Sequence, residues 1–484
     1  MGRSSGGSSV SLPQLAGYGA MARTASLGLT APAAWSAAWT VSAFTPAVSL
    51  YEDRRAPFGS VGKSAAQLFD LFSSARAAPT TTLFVNIASG NDTTGTGAVG
   101  APFQSIHKAV TAANTAGQPA TIFVAAGDYP RANNPSNGGA VLPTVDLALI
   151  ATGGRVRTGA YDAFTAPPAD ATNTNCYSFA VATVNRVVDR TNIDRFGCAT
   201  DLTNVATAAQ CNLRPGSWAL VAGTLYINRA DGAAVTNVNT RVFRAGTGTV
   251  KITAPVSVFI GGQLAGDGFD FEGGSSAACL NYAPATVPAA MKAVVTDGCS
   301  FRFAGGVAET GATGVAINSV HGIAALFNCA ADANATDGYN VHNTTAPAAA
   351  SHFVTVNCSA SNNGRAPGVS CNGWTTHENV VGLDVAGIYR ANRGGTMRSI
   401  NTSLSWLAGS RAEGDLGDQG NGGALIGTAL RVDDTARYWC DRVAIDMPGA
   451  GIALHAAAAG STIFTRAMPP SRAPAVGPGT IATY

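Results

Sequence analysis

The chain has little charge: 12% of its 484 residues are Asp, Glu, Lys or Arg, and they balance to a net +2. Nucleic acid and anionic membrane surfaces both demand a concentrated basic face, so neither is expected as a partner. Lysine is confined to Lys63, Lys108, Lys251 and Lys292. A membrane span is missing too: Thr24–Tyr51 carries no charge but is studded with Pro, Ser, Thr and Gly. A clean signal peptide is equally hard to find, since Arg23 interrupts the apolar stretch from Leu15 to Ala34 and no small-residue cleavage site follows. The expectation is a protein that is neither exported by a leader nor inserted in a bilayer; if it acts outside a cell, something else carries it there. The nine cysteines are odd in number and flanked by apolar residues or Asn, which favours reduced, buried thiols over a disulfide framework and a reducing compartment for folding.

What is present points to an elongated all-β molecule. With 46% hydrophobic residues the chain can bury a large core but is too long for one compact globule, and 57 glycines among short Ala, Thr, Asn and Ser turns suit repeated strand–turn–strand coils. Residues 83–130 organise the rest. An apolar β run at Leu83–Ile87 stops in Ser89-Gly90-Asn91-Asp92; Ile106, Ala109, Val110 and Ala113 then recur at helical spacing, with Gly117 as a stop, before a second β run at Ala120–Ala126. A helix with one modest apolar stripe and no helical neighbour should lie as a lid over the open end of a core. The run Phe84-Val85, Gly90-Asn91-Asp92, Ala101-Pro102-Phe103, Ile106, Ala109-Val110, Thr121–Val124 and Gly127-Asp128-Tyr129 resembles the first coil of right-handed parallel β-helix proteins of the pectate-lyase-like kind. That resemblance implies a β-helix solenoid with a capping helix; it says almost nothing of function, because the fold hosts lyases, hydrolases and plain binders.

Taken in order, residues 1–80 form a separate segment with too little periodic apolar pattern to bury its own core, so we expect a partner to order it. It reads as an anchor that docks onto a larger assembly, the alternative being a disordered tail. Residues 81–130 are the entry and capping helix, 131–467 the parallel β-helix with an excursion near 160–240, and 468–484 a closing segment. Within the excursion, Gly216–Ala219 and Gly223–Asn228 predict a hairpin. Gly95–Gly100 spells a dinucleotide-binding fingerprint, but Ala101-Pro102-Phe103 delays the helix and no acidic residue follows at the required distance, so a glycine turn is expected and no cofactor. Cys299, Cys329 and Cys358 recur at 30 and 29 residues, and Tyr389 takes the next place after 31. Each repeat ends in an Asn/Gly turn, which predicts an internal column of thiols and an external seam of turns.

Polar chemistry gathers between Asp337 and Trp439. Asp337, Gly338, Tyr339, His342, Asn357-Cys358, Asn363-Gly364, Thr376-His377-Glu378, Tyr389, Asn392 and Trp406-Leu407 resemble β-helix proteins encoded among bacteriophage structural genes, with an extra alanine at Ala408. His342 and His377 lie about one coil apart and, with Glu378, can form a polar cluster suited to proton transfer or to holding a sugar. The bland alternative is a set of turn side chains satisfying backbone groups. Glycoside hydrolysis needs two carboxylates on neighbouring coils, drawn here from Glu378, Asp384, Glu413, Asp415 and Asp418. A lyase would use an arginine such as Arg390, Arg393, Arg398 or Arg411. No calcium loop or other metal signature is present. We therefore expect His377, Glu378, Asp384 and Glu413 as the catalytic candidates, and His342, Tyr339, Asn363, Tyr389 and Trp406 as glycan contacts. The resemblance implies a homotrimeric phage spike, made in the host cytoplasm and displayed on the virion. It would be held to other virion proteins through residues 1–80 and would bind a host-surface glycan. The rivals are a glycan depolymerase and a structural collar that binds nothing.

Overall fold

The computed structural model describes residues 26–51, 58–133, 143–194, 197–244, 249–273, 278–306, 312–344, 349–364, 371–413, 427–447, 451–469, 471 and 475–484. Its body is a parallel β-helix. Each coil lays down a strand on a first sheet, turns into a short strand on a second, and crosses to a third before starting again. Gly322–Phe327, Ala330–Asp332 and Tyr339–His342 make one such circuit; His352–Val356, Ser359–Ser361 and Trp374–Thr376 make the next. Registers are parallel, with a shift between Ala125 and Gly127 in the first coils and unbroken columns further along, as in Ala325↔Val354↔Leu383↔Trp406↔Trp439 on the first sheet and Ile317↔Val341↔Thr376↔Ser399↔Val432 on the third, which has nine strands among the described residues.

The interior is filled by one side chain in two from every sheet. Cys299, Cys329 and Cys358 are buried in it and in register, one above the next. The next place in that column belongs to Gly387, since Ser359 pairs with Ile388. Tyr389 falls two residues further along, above Ala360, Ala331 and Phe301. The expected place of Tyr389 is thus corrected: the coil keeps its 29-residue step and the column passes to Gly387, where Asp384 fills the volume a fourth thiol would take, its carboxylate oxygens 2.5 Å from where a Gly387 side chain would begin.

The turns explain the Asn and Gly seam. Asn328, Asn357 and Ala386 carry positive φ at the corner between first and second sheets, in column with Gly298 and Gly409. Ser319, Glu378, Asn401 and Asp434 do the same where the third sheet ends. A left-handed residue at a fixed corner of every coil favours Gly and Asn, which bear that conformation at least cost.

The helix Ile106–Ala116 closes the N-terminal end as expected. Ser105 caps it, accepting the Lys108 N–H at 3.1 Å, Gly117 ends it in the left-handed conformation, and Ile106, Ala109, Val110 and Ala113 are buried in the same core as the coils. The excursion holds the hairpin Ser217–Val221 with Thr224–Asn228. It docks on the second sheet through Arg186, whose guanidinium donates to the carbonyls of Ala333 (2.8 Å) and Gly305 (3.2 Å).

Residues 26–51 and 58–80 overturn the expectation that this segment needs another protein for its order. They form a strap that runs back along the outside of the first sheet. Arg466 donates to the Thr30 carbonyl at 2.8 Å near the far end of the rod. The Trp35 indole N–H donates to Gly382 (2.7 Å), Gly59 N–H to Asn357 (2.8 Å), and Phe69 packs on Phe259 with centroids 5.6 Å apart. Short helix Ala33–Ala38 presses Trp35 onto Trp406, and short helix Ala65–Phe69 lays Leu68 and Phe69 over the earlier coils at Val258–Gly262, Lys292–Asp297 and Gly322–Phe327. The first sheet is therefore apolar on both faces, and the strap is its second cover.

His352 ties strap to rod. Its Nδ1 lies 3.0 Å from the Gly322 carbonyl and its Nε2 accepts the Thr40 N–H at 3.1 Å, an arrangement that only the neutral ring satisfies. Burial accordingly holds its pKa down to about 4. The unfolded ring takes up a proton that the folded one refuses, so stability is lost as pH falls from about 6.5 toward 4. Asp297 and Asp337, held up to about 6 by burial, act in the opposite sense between about pH 4 and 6. Comparing wild type with His352→Gln isolates the histidine. The difference in denaturation midpoint between pH 7 and pH 4.5 should shrink in the variant, and protease cleavage of the strap in wild type should rise over the same interval.

Candidate functional site

Of the three outer faces, the first is roofed by the strap and the second is partly covered by the excursion. The third sheet presents polar side chains in columns at the strand spacing of about 4.8 Å. Asn340, Arg398, Arg431 and His455 share one column, with Thr375 buried between the first two against Asp337; His342, His377 and Asp433 share another, with Ile400 between the last two. The parity of the strands sets this. Val341, Thr376, Ser399 and Val432 point in and are buried, so their neighbours point out.

His342, His377 and Glu378 come together where two coils leave this sheet. The two imidazoles stack at 3.8 Å with planes 14° apart, and His342 Nδ1 stands 3.3 Å from both carboxylate oxygens of Glu378. Glu378 is held from the other side by the Asn343 N–H, which donates to Oε2 at 2.8 Å. It is one rung of a ladder. The Glu378 N–H donates to Asn401 Oδ1 (3.1 Å), and the Asn401 N–H to Asp434 Oδ2 (3.1 Å). His377 is held neutral, its pKa pushed down to about 3 by burial first and by His342 and Arg398 second, with Asp433 opposing. Asp433 takes Arg398 at 2.8 Å and Arg431 at 2.9 Å, which keeps its pKa below the usual carboxylate range against the cost of burial. The site thus offers a neutral imidazole, a carboxylate–imidazole contact and a doubly paired aspartate. That set can move a proton or donate and accept hydrogen bonds along a hydroxyl-rich ligand.

The other expected site residues lie elsewhere. Tyr339 and Tyr389 are interior, with hydroxyls donating to the Ser359 carbonyl (2.9 Å) and to Asp384 (2.7 Å). Asn363 is interior in an asparagine ladder, accepting from Asn334 Nδ2 (2.9 Å) and donating to Asn392 Oδ1 (2.8 Å). Trp406 faces outward but lies beneath Trp35, ring centroids 5.3 Å apart. None of these four can touch a glycan. Asp384 is sealed inside the rod among Thr355 (2.6 Å), Tyr389 and Ser410 (2.5 Å), and burial raises its pKa, so it is a structural acid and not a catalytic one. Glu413 sits on the second sheet between Arg390 (3.7 Å) and Arg411, a different face from His377. Asp415 and Asp418 lie outside the described residues. Sequence alone raises Arg398 as a lyase arginine without joining it to the histidines, and it misses Arg431 and His455. The steps from Thr375 to Arg398, Arg431 and His455 are 23, 33 and 24 residues, too uneven for counting along the sequence to find them.

Among the described residues no helix is long and apolar enough to cross a membrane. No family model and no curated protein matches the chain. Solved structures similar to it include one described as a glycoside hydrolase, at 11% identity and a TM-score of 0.46, covering 83% of this chain and 96% of that one. XylC, solved with xylose, has 10% identity and a TM-score of 0.41 over 79% of this chain and 68% of its own. Pectate lyase Pel9A has 12% identity and a TM-score of 0.34 over 78% and 80%. The parallel β-helix rests on the strand register given above and not on these likenesses.

Proposed function

We propose that this protein is a bacteriophage spike that attaches the particle to a host-surface polysaccharide through the outer face of its third sheet. The observation that carries the reading is the repetition of polar side chains on that face at one coil per step. A polysaccharide lying along the rod meets His342, His377, Arg398, Asp433 and Arg431 in succession, so weak hydrogen bonds add over several sugars. The residues of the strap that are buried on the rod have no surface left for another protein, so we assign the contact with other virion proteins to the segment before residue 26. Trimerisation belongs to the same reading and is checked by sedimentation equilibrium.

A second reading, a depolymerase carried on the particle, draws on the contact between Glu378 and His342, a carboxylate beside an imidazole on an open face. One substitution separates the two. Glu378→Asn copies Asn401, which already accepts the N–H of the coil below, so the ladder persists while the carboxylate is lost. Asn also suits a φ of 52° better than Glu does. The variant should melt within a degree or two of wild type. With purified bacterial capsule or lipopolysaccharide, an attachment protein retains the polymer intact. His377→Ala and Arg431→Gln then weaken retention tenfold or more. A depolymerase releases oligosaccharides that Glu378→Asn abolishes. Absence of both retention and release across a panel of such polymers would leave the structural collar.

A further inference from the structure

The contact between His342 and Glu378 has the wrong length for the hydrogen bond it resembles. A charge-assisted N–H···O⁻ pair closes to about 2.7–2.9 Å and selects one oxygen. Here Nδ1 stands at 3.3 Å from both. His377 is stacked on His342 at 3.8 Å, and a ligand atom from each of the three side chains falls within 4.8 Å of the others. An edge of roughly 3.3–3.6 Å is what two donors make when both bind one tetrahedral ion at about 2.0–2.2 Å. The His342–Glu378 edge has that length already. His377 must close by roughly an ångström and also tilt its ring out of the stack, since two parallel imidazoles cannot aim their in-plane lone pairs at one ion; a change of its χ angles does both.

We propose that His342, His377 and Glu378 bind a divalent first-row transition ion of the zinc type. Two imidazoles and one carboxylate suit Zn²⁺, Co²⁺ or Ni²⁺ and are poor ligands for Ca²⁺ or Mg²⁺, which take oxygen donors. The setting supplies what such a site needs beyond its ligands. The Asn343 N–H at 2.8 Å fixes the carboxylate, and the αL backbone of Glu378, anchored through Asn401, directs it toward the histidines. Binding displaces any proton held between His342 and Glu378 into solvent, so one ion enters and up to one proton leaves. Three protein ligands leave at least one position open on the polar face, where a sugar hydroxyl, a uronate carboxylate or a water would bind.

The inference concerns the face assigned above to glycan but does not rest on that assignment, because the ion is measured with no glycan present. Untagged full-length protein, dialysed free of metal, is titrated with Co²⁺ as a spectroscopic probe and then with Zn²⁺ in competition. Wild type should take up one equivalent, with visible absorption of a four- or five-coordinate cobalt centre that Zn²⁺ bleaches. Glu378→Asn and His377→Gln should each weaken binding at least a hundredfold at unchanged circular dichroism. The proposal is overturned if wild type binds no Co²⁺, or if it binds with the same stoichiometry and affinity as the two variants, which would place the ion at other histidines.

Discussion

Deleting residues 1–78 is expected to make the rod aggregate. The strap covers Phe259, Val295, Ile323, Val354, Val356, Leu383, Val385 and Trp406, all buried beneath it. Uncovered, they make one contiguous apolar strip along parallel strands, a larger patch than a soluble surface carries. Light scattering and size-exclusion chromatography at rising concentration read the outcome. A finer version is Trp35→Ala. Trp35 is 2% exposed, packs on Trp39 and Trp406 at 5.1 and 5.3 Å, and satisfies the Gly382 carbonyl. Truncation should cost about 3–5 kcal/mol and first appear as protease cutting within residues 26–51. If the truncated chain stays monodisperse and melts like the full one, the strap is an accessory and the account of the first sheet is wrong.

Asn363→Asp should be the most damaging single substitution inside the rod. Asn363 Nδ2 donates to the Ala331 carbonyl at 2.9 Å and to Asn392 Oδ1 at 2.8 Å. An aspartate offers oxygen to both. Two acceptors lose their donor and a charge is left in the core, which costs roughly 3–5 kcal/mol for an unpaired buried ion. Protonation of the new carboxyl relieves part of this. Its folded pKa is therefore raised, and its contribution falls away as pH rises. The variant should lie closer to wild type at pH 4 than at pH 7 in denaturant midpoint. A uniform loss at both pH values would show that the ladder tolerates an acceptor there.

The expectations about the fold and those about the site fared differently for a physical reason. Cys299, Cys329 and Cys358 recur at one coil because each coil must fill the same interior volume, so interior spacing is visible in sequence. The capping helix announced itself through Ser105, Gly117 and an apolar stripe. Outward positions obey no such rule, and Tyr339, Tyr389 and Asn363 looked functional because polar and aromatic groups were assumed to face solvent. In this rod they are the filling, with their polar atoms satisfied by the ladder above and below. One residue of phase decides the matter, since neighbouring side chains point to opposite faces. The strap leaves a signal in the sheet beneath it: Ala293–Val295 and Ile323–Phe327 are apolar without alternation, as a strand covered on both faces must be.

The strap also fixes an order of events at the ribosome. Trp35 waits for Gly382, 347 positions later, and Thr30 for Arg466, 436 positions later. At synthesis rates of about 5–20 residues per second, roughly 20–70 s pass before Trp35 can meet its partner. During that time the nascent chain carries an unmatched segment with Trp35 and Trp39, the sort of sequence that holdase chaperones shelter. The coils can stack as they emerge, whereas the Thr30 end of the strap can be laid down only once Arg466 has been made, so that end docks after the coils it covers.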